Sequence, residues 1–410
     1  MRIFCAVRHA TNPKRFYGEL WASNFYPALR AMGHEIIESQ TDLYPASMFM
    51  DIAGDFTREE LEVRARTTER IVDEVRAAHK CSPVDLFLSY FYNAHCDPAI
   101  FDELRRMGIV SVNFYCNSIH QFDLVKAVAA KTDFAWHAEK GARQRYLDVG
   151  AKAVWVQMGA SPEVYHPMLN LQRLPNACFV GQRYADRDRW LAALIRSGVP
   201  VDIYGHGWTS TANGSQPLRP NNQEVKGTYL GRARRSPGSW PSYCEALLQN
   251  VRRDGFVSGI LRSARQVGYR KNTRHLLPLL AGSARGPATD VTTVFATHDV
   301  CLNFSNVWSD SRPGSPLIAH VRLRDFEAPM SRTCYLTGHS DEITEFYDVG
   351  REIDTYRTPD ELADKTKFYL CHQAAAERMR EAGYHRACQQ HSWQSRFEEL
   401  FRKIGISKPC

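Results

Sequence analysis

The feature that most constrains this chain is a repeated alternation. Short, wholly apolar runs are separated by helical patterns. The runs "RIFCAV", "HEIIES", "VDLFLSYF", "IVSVNFYC", "KTDFAWHA" and "KAVWVQM" fill the first 160 residues, with amphipathic stretches between them. A strand that is apolar on both faces needs cover on both faces. Parallel sheets flanked by helices supply it. After "GASPEVYHPMLNLQRLPN", a proline-rich and polar stretch that reads as a linker, the alternation restarts with "ACFVG", "VPVDIYG", "TTVFATHDVCLNFS", "TCYLT" and "REIDTY".

Two such series in 410 residues predict two doubly wound α/β domains, because single cores stop growing near about 250–300 residues. The expected boundaries are 1–168 for the first domain and 169–388 for the second. Residues 389–410 form a C-terminal helix that packs back on the first domain. Ligands of doubly wound sheets bind outside the carboxyl ends of the strands, so a cleft between the two sheets is the expected site. Neither half carries a GxGxxG fingerprint.

Charge is unevenly spread. The chain carries a net +7, but residues 209–290 alone hold 13 Lys/Arg against 4 Asp/Glu. The basic character therefore belongs to a local helical insertion. In it Tyr243, Leu247 and Val251 share one stripe, and Val257, Ile260, Leu261 and Ala264 another. Arg252, Arg253, Arg262 and Arg265 lie off these stripes. Three readings stay open: a packed subdomain with solvated arginines, an anionic acceptor or membrane surface, and, with least support, nucleic acid. No aromatic interleaving favours the last. The 11 cysteines lack CxxC spacing and read as reduced thiols. No run of about 18 apolar residues is present. The first strand is too short for a secretory leader. The expected location is cytoplasmic, with peripheral contact to an inner membrane face open.

The stretch "RLRDFEAPMSRTCYLT" sets Arg324 and Glu327 three residues apart before an apolar strand. A glutamate at a helix start can simply face the positive end of the helix dipole. A carboxylate also suits the vicinal hydroxyls of a ribose, and an arginine suits a diphosphate. The segments "LRDFEAP", "EFYDVGREIDTYRTPDELADKTKFYL", "AGYHRA" and "HSWQSRF" together resemble the CgeB-like glycosyltransferases, which have the GT-B architecture. The resemblance is close over roughly residues 302–401. Over residues 1–208 it is mainly topological.

The resemblance implies two Rossmann-like domains and a nucleotide-sugar donor held mainly by the second, as co-substrate. It places Glu327 at the donor ribose and Arg324 at the diphosphate. It turns the loop of Gly181 and Arg183 towards the diphosphate, and sets Asn303 and Ser305 near the phosphates or the sugar. Gly205 and His206, after the next strand, allow a tight turn and a ring for the base. Where relatives usually carry a small residue or glycine, this chain has Arg332, which would add charge or point to solvent.

"ADRD" has Asp-x-Asp spacing, but Asp186 or Asp188 is expected to cap the following helix. No metal site is expected. Candidates for a catalytic base are His9, His95 and His120 after strand ends, with Asp123 placed to orient His120. The acceptor is expected to be a surface glycan, lipid-linked sugar or protein. Two other functions stay open: a nucleotide-sugar epimerase or hydrolase, and a non-catalytic sugar-binding protein.

Overall fold

The structure is a computed structural model and describes residues 1–12, 18–168, 171–208, 244, 247, 248, 250–252, 254–310 and 312–406. Much of the basic insertion, with Tyr243 and Arg253, lies outside the described residues. The chain divides into two compact units.

The first unit holds Met1–Ser161 together with the C-terminal helix Trp393–Ile404. Its strands are β1 (Arg2–Ala6), β2 (Glu35–Glu38), β3 (Leu86–Ser89), β4 (Val110–Tyr115), β5 (Phe134–His137) and β6 (Ala153–Trp155). They form one parallel sheet in the order β2-β1-β3-β4-β5-β6. Its core includes Phe4, Phe87, Phe91, Ile71 and Phe101, all buried. The longest helix of this unit, Arg58–Cys81, starts at a reciprocal cap: Thr57 accepts from the Glu60 amide, and the Glu60 side chain takes the Thr57 amide.

The second unit holds the described residues between Pro162 and His391. Its strands are β7 (Leu174–Val180), β8 (Val201–Tyr204), β9 (Ala284–Gly286), β10 (His298–Asn303), the hairpin β11 (Asn306–Trp308) and β12 (Leu317–Ala319), β13 (Cys334–Gly338) and β14 (Asp354–Tyr356). The large sheet runs β14-β13-β10-β7-β8-β9, all parallel. Counted along this unit, that is the order 6-5-4-1-2-3 of a Rossmann sheet. Its topological switch point lies between β7 and β10. The doubly wound fold class expected from the alternation is thus the observed one.

Two elements differ locally from the expected helices. The helix expected over "LWASNFYPALRAMG" opens as a π-helical turn, Trp21–Phe25, before Tyr26–Ala31, because Pro27 has no amide to donate within a continuous α-ladder. The helix expected over "DEITEFYD" is a short 3-10 turn, Asp341–Glu345.

In the first unit the C-terminal helix seals an aromatic core. Trp393 is fully buried, with its ring 4.3 Å from Phe25 and 6.5 Å from Trp136, and Phe397 packs 5.7 Å from Trp136. Replacing a buried tryptophan by alanine leaves a cavity as well as losing its transfer energy. Trp393→Ala is expected to destabilise this unit by about 3–5 kcal/mol. Urea unfolding followed by hydrogen exchange in β4 and β5 would show the loss; an unchanged midpoint would refute it.

Candidate functional site

At the carboxyl end of β10 the chain meets the helix Arg324–Met330. Asp325 in the first turn of this helix is buried, at 1 % exposed. One of its oxygens accepts from Tyr335 Oη (2.9 Å), Thr337 Oγ1 (2.9 Å) and Asn303 Nδ2 (3.2 Å). The other accepts from the Arg322 amide at 2.6 Å. Burial raises its pKa, and these donors pull it only part of the way back. The carboxylate thereby pins the helix start to the ends of β10 and β13.

Two residues on, Glu327 is also buried. Its Oε1 accepts from Tyr165 Oη at 2.7 Å, and its Oε2 from Arg324 Nη1 at 2.6 Å. Arg324 in turn lies 5.2 Å over the Phe295 ring. Burial works against the Arg324 charge, yet Glu327 and the neighbouring groups raise its pKa on balance. A carboxylate has about four lone-pair positions, so two remain beyond these bonds. Glu327 is held in one orientation with acceptor capacity left over, as recognition of paired hydroxyls requires. Arg324 serves that orientation.

Arg332 adopts φ +57°, the left-handed region that favours glycine. This gives a backbone reason for a glycine at the position. The Arg332 side chain is engaged by Glu377 and, at 2.8 Å, by Glu381. It neither turns to solvent alone nor stands as an uncompensated charge.

The loops after β7 and β8 are stitched together. The Gly181 amide donates to Tyr204 O and the Arg183 amide to His206 O, while Trp208 Nε1 donates to Gly181 O at 2.8 Å. Gly205 sits at φ +139°, and a Cβ there would lie 2.2 Å from Gly181 O. The glycines thus serve close backbone approach. His206 is exposed. Arg183 spends Nε and Nη2 on the buried Asp188 (3.2 and 2.9 Å) and Nη2 also on Thr273 O. With Tyr269, Thr273 and Arg274 it lines a shallow cavity of about 230 Å³.

Asp186 occupies the N-cap position of the helix Arg187–Arg196 without capping it. Its Oδ2 accepts from Trp190 Nε1 and Asn306 Nδ2 instead. Asp188 accepts from Arg183 and from the Arg189 amide. The side-chain cap expected from "ADRD" is absent: Asp186 Oδ2 is taken by Trp190 and Asn306, and Asp188 by Arg183 and the Arg189 amide.

The neighbouring Arg187 escaped the sequence reading. It is 8 % exposed, with Nη1 donating to Gln182 O at 2.8 Å and its guanidinium 5.4 Å over the Phe179 ring. Its Nε is buried without a hydrogen-bond partner, and so is Asp186 Oδ1. Among the described residues Arg187 makes no ion pair. Burial, then the like charge of Arg322, brings its pKa down to about 9. The loop after β7, at the switch point, thus carries a buried guanidinium nitrogen and a buried carboxylate oxygen without hydrogen-bond partners. Arginine within a run of charged letters gives no sequence signal for this.

Asn303 and Ser305 are spent within the protein. Asn303 donates to Asp325 and to Thr337 Oγ1, and Ser305 donates to Gly338 O at 2.7 Å. Both are buried.

In the first unit the three histidines differ. His95 Nδ1 accepts from the Tyr92 amide at 3.2 Å, and Nε2 contacts Ser47 Oγ at 3.0 Å. Burial lowers its pKa to about 3. With its lone pair already taken, His95 is a structural histidine. His9 lies with Nδ1 3.7 Å from Glu38 Oε2. Burial raises the Glu38 pKa, but hydrogen bonds from His9, Thr11 and the Ala10 amide bring it down to about 2. His120 is half-buried, while Asp123 is largely exposed and 3.6 Å from Lys126 Nζ. Among the described residues no group of three or more His, Cys, Asp or Glu is placed to hold a metal ion.

A profile of the family described as glycosyl transferase-like matches residues 245–402. No curated protein matches the sequence. Solved structures match along the whole chain. Sucrose-phosphate synthase from Thermosynechococcus elongatus has a TM-score of 0.57 at 14% identity, covering 98% of both chains. A glycosyltransferase from Rickettsia africae gives 0.56 at 10% identity, covering 100% of this chain and 99% of its own. HepE of Anabaena, solved in complex with UDP, gives 0.52 at 10% identity, covering 99% of this chain and 100% of its own. At these identities the likeness establishes the fold, which is that of the GT-B glycosyltransferase structures.

Two outcomes follow from the hydrogen bonding. Asp325→Ala would strand the Tyr335, Thr337 and Asn303 donors, and an expected loss of about 3 kcal/mol or more would appear in chemical denaturation; a loss under about 1 kcal/mol would refute the network's role. His95 has a folded pKa depressed below the ordinary histidine value of about 6.5. Its contribution to stability is present above that value and fades as pH falls towards about 3. Its Cε1 proton resonance is expected to stay constant from about pH 8 to about pH 4, whereas a titration near about 6.5 would overturn the assignment.

Proposed function

We propose that the chain is a CgeB-like glycosyltransferase that moves a sugar from a nucleotide-sugar donor to a surface glycan, lipid-linked sugar or protein acceptor, without a metal ion. The observation that carries this reading is the pairing, within one Rossmann unit, of two unlike recognition groups at the strand ends. One is the braced Glu327 carboxylate, with acceptor capacity left for ribose hydroxyls. The other is the buried Arg187, with an unspent donor after the first strand of that unit. The family profile over residues 245–402 and the GT-B likeness agree with it.

In this reading Glu327 accepts from the ribose hydroxyls and fixes the register of the donor. Tyr165 and Arg324 are positioning residues that hold the carboxylate. Arg187 faces the diphosphate. As the glycosidic bond to the leaving group breaks, negative charge grows on the diphosphate, and a cation already desolvated there stabilises it without reorganising water. Arg183 is a positioning residue that secures the loop through Asp188 and Thr273. For deprotonation of the acceptor we propose His9, whose ring is set by Glu38.

Because HepE was solved with UDP and with UDP-glucose, those are the first donors to test. Thermal shift of the whole chain with UDP and UDP-glucose is expected to raise the wild-type melting temperature, since a ligand that binds only the folded state stabilises it by about 2.7 kcal/mol at 100 times its Kd. Glu327→Ala and Arg187→Met are expected to lose most of that shift. If a panel of nucleotides and nucleotide sugars leaves wild type unmoved, or both variants shift as wild type does, the reading fails. Release of sugar from the donor with no acceptor present would favour a hydrolase instead.

A further inference from the structure

The helix Phe256–Arg274 is seated the wrong way round for a globular surface. Its polar side faces the protein. Arg262 bonds Asp254 at 2.6 Å and Asp310 at 2.5 Å. Asn250 donates to Ser263 Oγ at 2.9 Å and to Gln266 Oε1 at 3.2 Å. Tyr269 donates to Ala185 O, and its ring meets Trp308 at 5.2 Å. Gly259 is buried so tightly that a Cβ there would lie 2.5 Å from the Val251 backbone. These contacts fix the rotation of the helix about its axis.

The apolar side is consequently turned outward. Phe256 is 71% exposed, Val257 68%, Ile260 43%, Leu261 53% and Val267 52%, with Ala264 exposed between them. At helical spacing they form one stripe, about 17 Å long at 1.5 Å per residue. The apolar spacing of Val257, Ile260, Leu261 and Ala264 is thus an outward stripe in the folded chain. Water-exposed apolar side chains contiguous on one helix mark a surface that is covered in use.

Charge indicates the kind of cover. Residues 250–275 contain seven Lys/Arg and one acid, Asp254. That acid is already engaged by Arg262 and Arg312. Arg252, Arg265, Lys271 and Arg274 stay exposed beside the stripe. Apolar side chains that can enter a lipid headgroup layer, with cations alongside, suit an anionic bilayer: hydrophobic insertion and attraction to the lipid charge act together. Among the described residues no helix is long and apolar enough to cross a membrane.

We propose that this face of the helix Phe256–Arg274 docks the protein on an anionic membrane surface, with Phe256, Val257, Ile260 and Leu261 entering the headgroup region and Arg265 and Lys271 lying against lipid phosphates. The exposed stripe lies on the side of the helix away from Tyr269 and Thr273, which meet the loop of Arg183 and Ala185, and the proposed docking does not rest on the sugar site.

The test is flotation of the full chain with two kinds of vesicle: phosphatidylcholine alone, and equal parts of phosphatidylcholine and phosphatidylglycerol. Wild type is expected to float with the anionic vesicles, and added salt to release part of it. The double variant Ile260→Gln, Leu261→Gln changes only exposed positions. It should keep the wild-type melting temperature and partition at least about tenfold less. Arg265→Glu with Lys271→Glu should abolish the preference for anionic over neutral vesicles. Equal binding of wild type to both vesicles, or full binding by the glutamine variant, overturns the proposal. So does a wild-type dimer in sedimentation velocity that the glutamine variant dissolves while no vesicle is bound: the stripe is then an interface between copies of this chain. Nucleotide binding is read separately by thermal shift, so failure here leaves the donor site standing, and the reverse.

Discussion

The geometry of the second unit depends on one buried carboxylate. Asp325 gathers Tyr335, Thr337, Asn303 and the Arg322 amide around itself. An ionised group taken out of water is costly unless donors replace its hydration. Four donors do so here, and they come from β10, β13 and the turn before the helix. Satisfying one charge therefore fixes three segments at once. The helix Arg324–Met330 cannot rotate without stranding these groups. Glu327, one residue past Phe326 on the same turn, inherits a fixed direction, which Tyr165 and Arg324 then narrow further.

A second constraint acts at the first strand of that unit. Gly205 lets the two loops meet backbone to backbone, closer than any side chain would permit, and Gly181 leaves room for the Phe179 ring and the Arg187 guanidinium. The result is a rigid floor at the switch point on which Arg187 is buried without an ion pair. A cation in that position weakens the fold relative to an apolar residue of its size, because its desolvation is not returned by a carboxylate. Local rules broken in this way tend to mark function. The contrast with Arg183 is instructive. Four residues before Arg187, its charge is answered by Asp188, so its effect is confined to holding the loop.

How much of this was legible follows from the range of each interaction. Eleven of the twelve strands of the two large sheets stand out because apolar runs between helices have few other solutions; β9 does not, since "ARG" lies inside the basic insertion and carries no apolar run. Glycine positions were legible as turns, though the reason for Gly205 was contact with a partner loop. What could not be read was long-range partner choice. Tyr165 lies 162 positions from Glu327, inside a stretch that reads as linker. Asp325 and Glu327 share one helix start, and no spacing says which carboxylate turns inward. His95 looks like any strand-end histidine until the Tyr92 amide is found on its lone pair.

The helix Phe256–Arg274 shows the same limit from the other side. Periodicity gives the existence of an apolar stripe but not the direction it faces, since an amphipathic helix can be inserted either way. Ordinarily the hydrophobic effect decides, and the stripe goes in. Here the side facing the protein is lined with Asp310, the Ala185 carbonyl and Asn250, partners that only the polar side of the helix can satisfy. Burying Ile260 and Leu261 against those groups would leave each without a hydrogen bond, at about 1–3 kcal/mol apiece. Several such penalties exceed what a few partly exposed aliphatic side chains regain by burial, at roughly 25 cal/mol per Å². The polar demand of the domain thus sets the helix, and the apolar stripe outside is its consequence, whatever then covers it.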